Sequence, residues 1–192
     1  MIVNKDTKLH DVVISEPSIT AVLSRFDINL GIGDKTVRQM CDERSIEPTF
    51  FIAILNTYIS DDYAPADAFR LNGERVNRYL KRTIEYYDKF LIPNIEQHFN
   101  LLIHRSSGIN SNLELMRNFF FEIKEELALL INSDVAVFKP IDTIEDKLND
   151  LVSMFVIHLT GSYNINLCQA VLFAIIGLRK DISQYNRICR YL

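Results

Sequence analysis

The sequence predicts an all-α protein, with a small helical N-terminal domain followed by an antiparallel four-helix bundle. Apolar residues recur at steps of three and four over most of the chain, which is the spacing of one face of an α-helix. No run of alternating apolar and polar residues indicates a strand. A polar stretch at residues 60–73 contains a proline and a glycine and separates short helical patterns from long ones. The predicted domains are therefore residues 1–60 and 75–192, joined by a linker at 61–74.

Short helices are predicted in the N-terminal domain from their start signals and from a glycine break. Ser15 is the expected cap of the second helix, since a serine oxygen can accept hydrogen bonds from the first backbone N–H groups. Asp34 has the same expected role for the third helix, and a fourth begins at Glu47-Pro48-Thr49. Between the second and third helices, Gly31 and Gly33 permit backbone angles that other residues resist, so the chain is expected to turn there.

Four longer helices are predicted from Arg75 onward. Pro93 is expected to bend or locally break the first of them. The second occupies residues 112–140, and Asp142 or Thr143 caps the third. The third helix has an inward stripe at Leu148, Val152, Phe155, Leu159 and Ser162. The fourth has one at Val171, Ile175, Leu178, Ile182, Tyr185, Cys189 and Leu192. Four amphipathic helices with short connections pack best as an antiparallel bundle.

The composition is that of an ordinary globular protein and excludes several function classes. Of the 192 residues, 48% are hydrophobic and 24% are charged. No segment has the roughly 18 uncharged apolar residues that a membrane span needs. The N-terminus lacks the basic start and long apolar run of a signal peptide, so we expect a cytoplasmic protein. The net charge is −4, and neither half of the chain has the excess of basic residues that would indicate a nucleic-acid-binding protein. The sequence contains no phosphate-binding loop and no motif for a catalytic nucleophile.

One carboxylate falls on an apolar face of a predicted helix. The second helix of the bundle has a core stripe at Met116, Phe120, Ile123, Leu127 and Leu130. Asp134 lies one turn further along the same stripe. A carboxylate in such a position is costly unless it is paired, hydrogen-bonded or bound to a metal. Asp134 is therefore the local feature that could indicate chemistry.

The cysteines indicate neither a disulfide framework nor a metal knuckle. Cys41, Cys168 and Cys189 are odd in number and far apart in the sequence. We expect buried, reduced thiols that pack as small apolar side chains.

Two stretches of the chain resemble a known family. Residues 25–43 (RFDINLGIGDKTVRQMCDE) resemble the small ScdA-type N-terminal domain of the iron–sulfur cluster repair di-iron proteins. Residues 75–192 are similar to the hemerythrin-like four-helix bundle that follows it in that family. Domain order, helix spacing and the run NLCQAVLFAI…KDISQY carry the resemblance. It implies a hemerythrin-like bundle, which in the family holds a di-iron site of histidines and carboxylates.

The resemblance also implies that this metal chemistry is lost. The family's cysteine pair falls at Gly31 and Ile32. The family's metal-ligand positions fall at Tyr87, at Leu130 with Asp134, at Ile144-Glu145-Asp146, and at Tyr185 with Cys189. No family histidine is retained, and a di-iron site needs imidazoles and carboxylates together. Leu130 is expected to fill, with methyl groups, the space of a metal-bound imidazole.

Two hypotheses follow. The first is a non-enzymatic binding or regulatory module with no catalytic residue and no cofactor, derived from a hemerythrin-like repair protein. Its expected partner is another protein or a second copy of the chain, and its bundle interior is either collapsed or open to a small ligand; neither nucleic acid nor a membrane is expected.

The alternative is a divergent metal-binding protein for iron–sulfur cluster repair or for nitric oxide and oxygen stress. Iron would then be held by Asp134, Glu145, Tyr87 and Tyr185. In the first hypothesis these two carboxylates and two phenols satisfy one another by hydrogen bonds instead.

Overall fold

The computed structural model describes residues 2–65, 67, 73–106, 110–131 and 138–191. Within these ranges the secondary structure is helical and no strand forms, so the prediction of an all-α protein is confirmed. An isolated antiparallel bridge joins Lys8 and Thr36. The α-helices are α1 (Leu9–Ser15), α2 (Ile19–Arg25), α3 (Val37–Arg44), α4 (Pro48–Ile59), α5 (Gly73–Tyr86), α6 (Ile92–Arg105), α7 (Ser111–Ile131), α8 (Asp142–Ser153) and α9 (Ile165–Arg190).

The chain divides into two compact units. Unit 1 comprises Met1–Thr83 together with Arg187–Leu192, and unit 2 comprises Ile84–Asn186. The predicted domain limits at residues 60 and 75, and the antiparallel bundle arrangement, stay predictions.

Unit 1 is built on an apolar core shared by its short helices. The fully buried apolar side chains include Leu9, Val12, Ile19, Val22, Val37, Phe51, Ile54, Leu55, Val76 and Leu80. Burying each such side chain contributes about 1.5–3 kcal/mol relative to leaving it exposed. The start of the chain is fixed to α4 by Asn56, whose side chain accepts from the Val3 backbone N–H at 2.8 Å and donates to the Val3 carbonyl at 3.0 Å.

The start signals of the short helices have mixed outcomes. The predicted start of α4 at Glu47-Pro48-Thr49 is confirmed. Its cap is Glu47, whose carboxylate accepts hydrogen bonds from the backbone N–H groups of Thr49 and Phe50. The prediction for Ser15 is wrong, because Ser15 ends α1 and its hydroxyl donates to the Val12 carbonyl. The prediction for Asp34 is also wrong. The cap of α3 is Thr36, which forms a reciprocal capping box with Gln39.

The glycine turn before α3 is confirmed. Gly31 and Gly33 have φ values of +88° and +66°, which L-residues with a side chain rarely adopt. The same turn receives a side chain from α1, because His10 Nδ1 lies 2.9 Å from the Gly33 carbonyl oxygen.

Unit 2 has an aromatic core. The ring of Phe99 in α6 lies with its centroid 5.5 Å from that of Phe120 in α7 and 5.6 Å from that of Phe155. Aromatic pairs at such distances are favourable beyond the area they bury. The predicted inward stripe of α9 is confirmed for the described residues, because Val171, Ile175, Leu178, Ile182, Tyr185 and Cys189 are all buried.

Two wide π-helical turns change the phase of the helices in unit 2. Tyr87–Leu91 forms the first, directly before α6, and Pro93 lies in the first turn of that helix. Proline has no N–H and its ring clashes with the carbonyl four residues earlier, so the turn before it widens. The expected disturbance at Pro93 is thus a widened turn. The second π-helical turn, Met154–His158, follows α8.

The ends of α7 and α8 correct three further predictions. Residues 138–140 are not helical, so the second bundle helix does not extend to Pro140. Asp142 and Thr143 do not cap α8, which begins at Asp142 with Ile141 as its N-cap. The inward stripe predicted for the third bundle helix is wrong in part: Val152 is half-buried and Ser162 is exposed, while Leu151 is buried. Ser162 lies in the non-helical segment that follows the π-helical turn Met154–His158, so the helical spacing that the prediction assumed does not reach it.

The three cysteines are buried and none forms a disulfide, as predicted. Burial, with smaller contributions from Asp42 and Glu47, raises the pKa of the Cys41 thiol to about 11. Burial also raises the pKa of Cys168. Because the thiolate is the reactive form, these two thiols are poor nucleophiles at neutral pH. Within the described residues no helix is both long enough and apolar enough to cross a lipid bilayer.

Arg187 fastens the end of α4 and the residues that follow it to the last turns of α9. Its Nη1 donates to the Thr57 carbonyl at 2.7 Å and to Asp61 Oδ1 at 3.3 Å. Its Nη2 donates to the backbone carbonyls of Ser60, Asp61 and Tyr63 at 2.9–3.1 Å. One guanidinium therefore satisfies carbonyls that the end of a helix leaves without an intrahelical partner.

Replacing Arg187 by alanine is expected to lower the free energy of unfolding by about 2 kcal/mol, because several acceptors lose a charged donor at once. Urea denaturation followed by circular dichroism measures the change. The control is Arg190→Ala, an exposed position on the same helix, for which a change below about 0.5 kcal/mol is expected. Equal effects of the two substitutions would contradict a specific role for Arg187.

Glu47 links stability to pH. Burial alone would raise its pKa, but the hydrogen bonds from the Phe50 and Thr49 N–H groups, with help from Arg75, outweigh burial and lower it. The charged cap therefore stabilises the fold above the unfolded-state pKa of about 4.3, and this stabilisation is lost as pH falls through the folded-state pKa.

Glu47→Gln is accordingly expected to cost about 1 kcal/mol at pH 7 and progressively less below about pH 4. Unfolding free energies measured across pH 3–7 test this, with exposed Asp62→Asn as the control. A cost that stayed constant over the whole range would show that the carboxylate charge of Glu47 does not stabilise the fold.

Candidate functional site

Tyr87 in unit 2 is bound to a carboxylate that the sequence analysis did not single out. The tyrosine is fully buried in the π-helical turn, and its hydroxyl donates to Asp181 Oδ1 at 3.3 Å. Asp181 lies on α9 and is only 5% exposed. A buried carboxylate without donors is strongly destabilising, so the phenol hydroxyl provides part of what keeps Asp181 inside the unit.

Glu145 also has a side-chain partner in unit 2. It lies half-buried in the first turn of α8 and accepts a hydrogen bond from Asn186 Nδ2 at 2.7 Å. Asn186 is fully buried on α9, and its Oδ1 accepts from the Ile141 backbone N–H at 2.6 Å. The asparagine therefore takes the place of an N-cap side chain for α8, because it satisfies an N–H group at the start of that helix.

The remaining predicted site residues are placed as follows. Tyr185 is buried on α9. Asp134 lies outside the described residues. Leu130 is 38% exposed, so the expectation that it fills a core position is wrong. Among the described residues of α7, the buried stripe ends at Leu127, and the helix continues beyond it with side chains that reach solvent.

The described part of the chain contains no group of three or more His, Cys, Asp or Glu side chains placed to hold a metal ion. His104 and His158 are exposed, and His98 Nδ1 lies 2.7 Å from the carbonyl oxygen of Asn94 in its own helix. Two of the predicted site residues instead contact polar side chains of α9, Tyr87 with Asp181 and Glu145 with Asn186.

Unit 1 contains a pocket that the sequence analysis missed, which we name the arginine pocket. Its volume is about 230 Å³. Five arginines and two carboxylates line it together with three aromatic rings and two further residues: Arg25, Arg44, Arg75, Arg78, Arg82, Asp27, Glu47, Phe26, Phe50, Tyr79, Ser45 and Ile46. The arginines therefore outnumber the carboxylates by three.

Three helices bring the arginines to the pocket. Arg25 is the last residue of α2 and Arg44 is the last residue of α3. The chain then turns in each case through a residue with positive φ, Asp27 at +57° and Ser45 at +53°. Cations at helix C-termini also interact favourably with the helix dipole, which is the purely structural explanation for these two positions.

The third helix, α5, contributes Arg75, Arg78 and Arg82 at steps of three and four, so these side chains lie on one helical face. This spacing is visible in the sequence and could have revealed the pocket. What the sequence did not reveal is that Arg25 and Arg44, which are distant in the chain, face the same space.

The inner wall of the arginine pocket is aromatic. The ring of Phe26 stacks on that of Tyr79 with centroids 5.4 Å apart, and Phe50 approaches Phe26 edge-on at 5.8 Å. Arg25 is 3% exposed; its Nη1 donates to the hydroxyls of Tyr58 and Tyr79 at 2.7 and 3.0 Å. Its guanidinium carbon also lies 5.6 Å from the centroid of the Tyr79 ring, within the range of a cation–π interaction.

Comparison with known proteins gives no match for this chain, whether with protein-family models, with curated proteins or with solved structures. Inferences about function therefore depend on the buried polar contacts of unit 2 and on the arginine pocket of unit 1.

Tyr87→Phe is expected to lower the free energy of unfolding by about 1–2 kcal/mol, because it removes a donor from the buried Asp181 carboxylate while leaving the aromatic ring in place. Chemical denaturation provides the measurement. Tyr163→Phe is the control, since Tyr163 is a half-buried tyrosine of the same unit. If both substitutions had the same small effect, the Tyr87–Asp181 hydrogen bond would not be a stabilising contact.

Proposed function

We propose that the protein is a non-enzymatic binding module of hemerythrin-like architecture, in which hydrogen-bonded pairs of side chains have replaced the metal site. The observation that supports the proposal is the engagement of the candidate ligands. Tyr87 donates to Asp181 at 3.3 Å, and Glu145 accepts from Asn186 at 2.7 Å. Binding a metal through these groups would first require breaking two hydrogen bonds. One joins the π-helical turn to α9, and the other joins α8 to α9.

The packing of unit 2 supports a filled interior under this proposal. The ring of Phe99 packs against the rings of Phe120 and Phe155, and Phe99 and Phe120 are fully buried. Interiors packed in this way leave little room for an additional ligand. We therefore favour a collapsed interior over an interior that binds a small ligand.

The proposed partner is another protein or a second copy of the chain. Unit 2 exposes several large apolar side chains, which supports a role in association: Leu115, Val156, Ile157, Ile165 and Phe173 are each 60–70% exposed. Of the three consecutive phenylalanines at 119–121, Phe120 is buried and Phe121 is flanked by Arg117 and Lys124, at 4.7 and 5.6 Å from its ring centroid.

A second candidate function is a divergent metal-binding protein for iron–sulfur cluster repair or for nitric oxide and oxygen stress, with iron as its cofactor. The specific observation in its favour is Asp181, a buried carboxylate that faces Tyr87 in the unit that also contains Glu145. In this candidate, Asp181 joins the ligand set expected from sequence.

Metal content separates the two functions. Protein purified without chelators is expected to contain well under one iron, manganese or zinc per chain by elemental analysis, and to lack visible absorption bands. One metal per chain that is lost on Asp181→Asn, but retained on exposed Asp150→Asn, would establish the metal-binding function and refute the binding-module proposal.

A further inference from the structure

The arginine pocket of unit 1 is independent of the proposal for unit 2, because every residue that lines it lies between Arg25 and Arg82. We propose that this pocket binds a small phosphorylated metabolite, and that its arginines hold the phosphate oxygens. Four features of the pocket support this ligand class: the excess of cations, the engagement of the carboxylates, the geometry of guanidinium groups and the size of the pocket.

The two carboxylates of the pocket are already engaged. Asp27 accepts a hydrogen bond from Arg82 Nη1 at 2.9 Å, and that same atom donates to the Arg25 carbonyl at 2.6 Å. Glu47 caps α4 through the N–H groups of Thr49 and Phe50. Asp27 is thus paired with Arg82, and Glu47 interacts with Arg75, so two carboxylates leave the five arginines with an excess of positive charge.

The pairing of Arg78 lies outside the pocket lining and is weak. Arg78 contacts Glu74 at 3.2 Å one turn earlier on α5, and both side chains are mainly in solvent. Exposed pairs of this kind contribute about 0–1 kcal/mol, so an anion in the pocket can compete for the guanidinium. Arg44 is likewise exposed at the pocket and can reorient toward a ligand.

Like charges gathered in one pocket repel one another, and a bound anion relieves that repulsion. Arginine is suited to oxyanions because its planar fork donates two parallel hydrogen bonds to a carboxylate or a phosphate. A single carboxylate can be satisfied by one fork. A phosphate, with two negative charges and three acceptor oxygens, fits several forks converging from different helices.

The size and the wall of the pocket define the ligand further. A volume of about 230 Å³ is below the range of roughly 300–1,000 Å³ for drug-sized ligands, which indicates a small metabolite. Phe26 is half-buried at the pocket while Phe50 and Tyr79 are buried behind it. The aromatic wall therefore offers a limited apolar surface for the remainder of the molecule, beside the cationic site for its phosphate.

Isothermal titration calorimetry with pyrophosphate and with phenyl phosphate, using the full chain, tests the proposal. We expect one molecule bound per chain, with affinity that falls as salt is raised toward about 150 mM, because the arginines are near the surface. Arg44→Gln combined with Arg78→Gln is expected to weaken binding at least tenfold. The charge-matched control, Arg38→Gln combined with Arg190→Gln, removes two exposed arginines outside the pocket and is expected to change binding less than twofold.

A second variant separates geometry from charge. Arg44→Lys combined with Arg78→Lys keeps the net charge, and binding is expected to weaken severalfold because the forked donors are lost. Circular dichroism verifies that each variant is folded, and if the glutamine variant fails to fold the lysine variant decides.

Three results would overturn the assignment. The first is an absence of binding up to about 10 mM ligand, which corresponds to a binding free energy weaker than about −3 kcal/mol. The second is equal weakening in the pocket and control variants, which would indicate general attraction to positive charge. The third is citrate binding as tightly as pyrophosphate, which would replace phosphate by polycarboxylate as the ligand class.

Discussion

Polar side chains buried along α9 are the constraint on which the interior of unit 2 depends. Asp181 and Asn186 are carried inside because the apolar residues around them, such as Ile182 and Tyr185, must be buried. Each buried polar group then needs a partner, and Tyr87 and Glu145 provide two. The same pairs that stabilise the unit thereby occupy the groups that a metal would otherwise need, so stability and the proposed loss of metal chemistry have one physical origin.

In unit 1 the main constraint is positive charge that is gathered in one place. Two of its helices, α2 and α3, end in arginines, and α5 adds three more on one face, so positive charge gathers around one pocket. The most buried of these, Arg25, is held by tyrosine hydroxyls and lies against an aromatic ring. Because guanidinium groups are weakly hydrated, they tolerate such surroundings better than lysine would. A cationic pocket with an aromatic wall is a suitable receptor for a small phosphorylated molecule.

Under both proposals the protein binds other molecules and does not catalyse a reaction. A ligand in unit 1 that binds only the folded state would stabilise that state in proportion to its concentration. In the proposal for unit 2, exposed apolar side chains such as Ile157 and Phe173 contact the partner protein. A module with a metabolite site and a protein-binding surface has the parts that a regulatory function requires.

The sequence by itself determined that the chain is all-α, and it correctly assigned the inward stripe of α9, the start of α4 and the glycine turn, because these depend on spacing and on local backbone chemistry. Only the tertiary structure decided that Leu130 is exposed, that Tyr87 meets Asp181 and that five arginines share a pocket. Partners distant in the chain leave no local signal. Tyr87 also lies in a widened turn, which shifts the phase of a helix without any change in composition. The spacing of apolar residues therefore could not predict that Tyr87 meets Asp181.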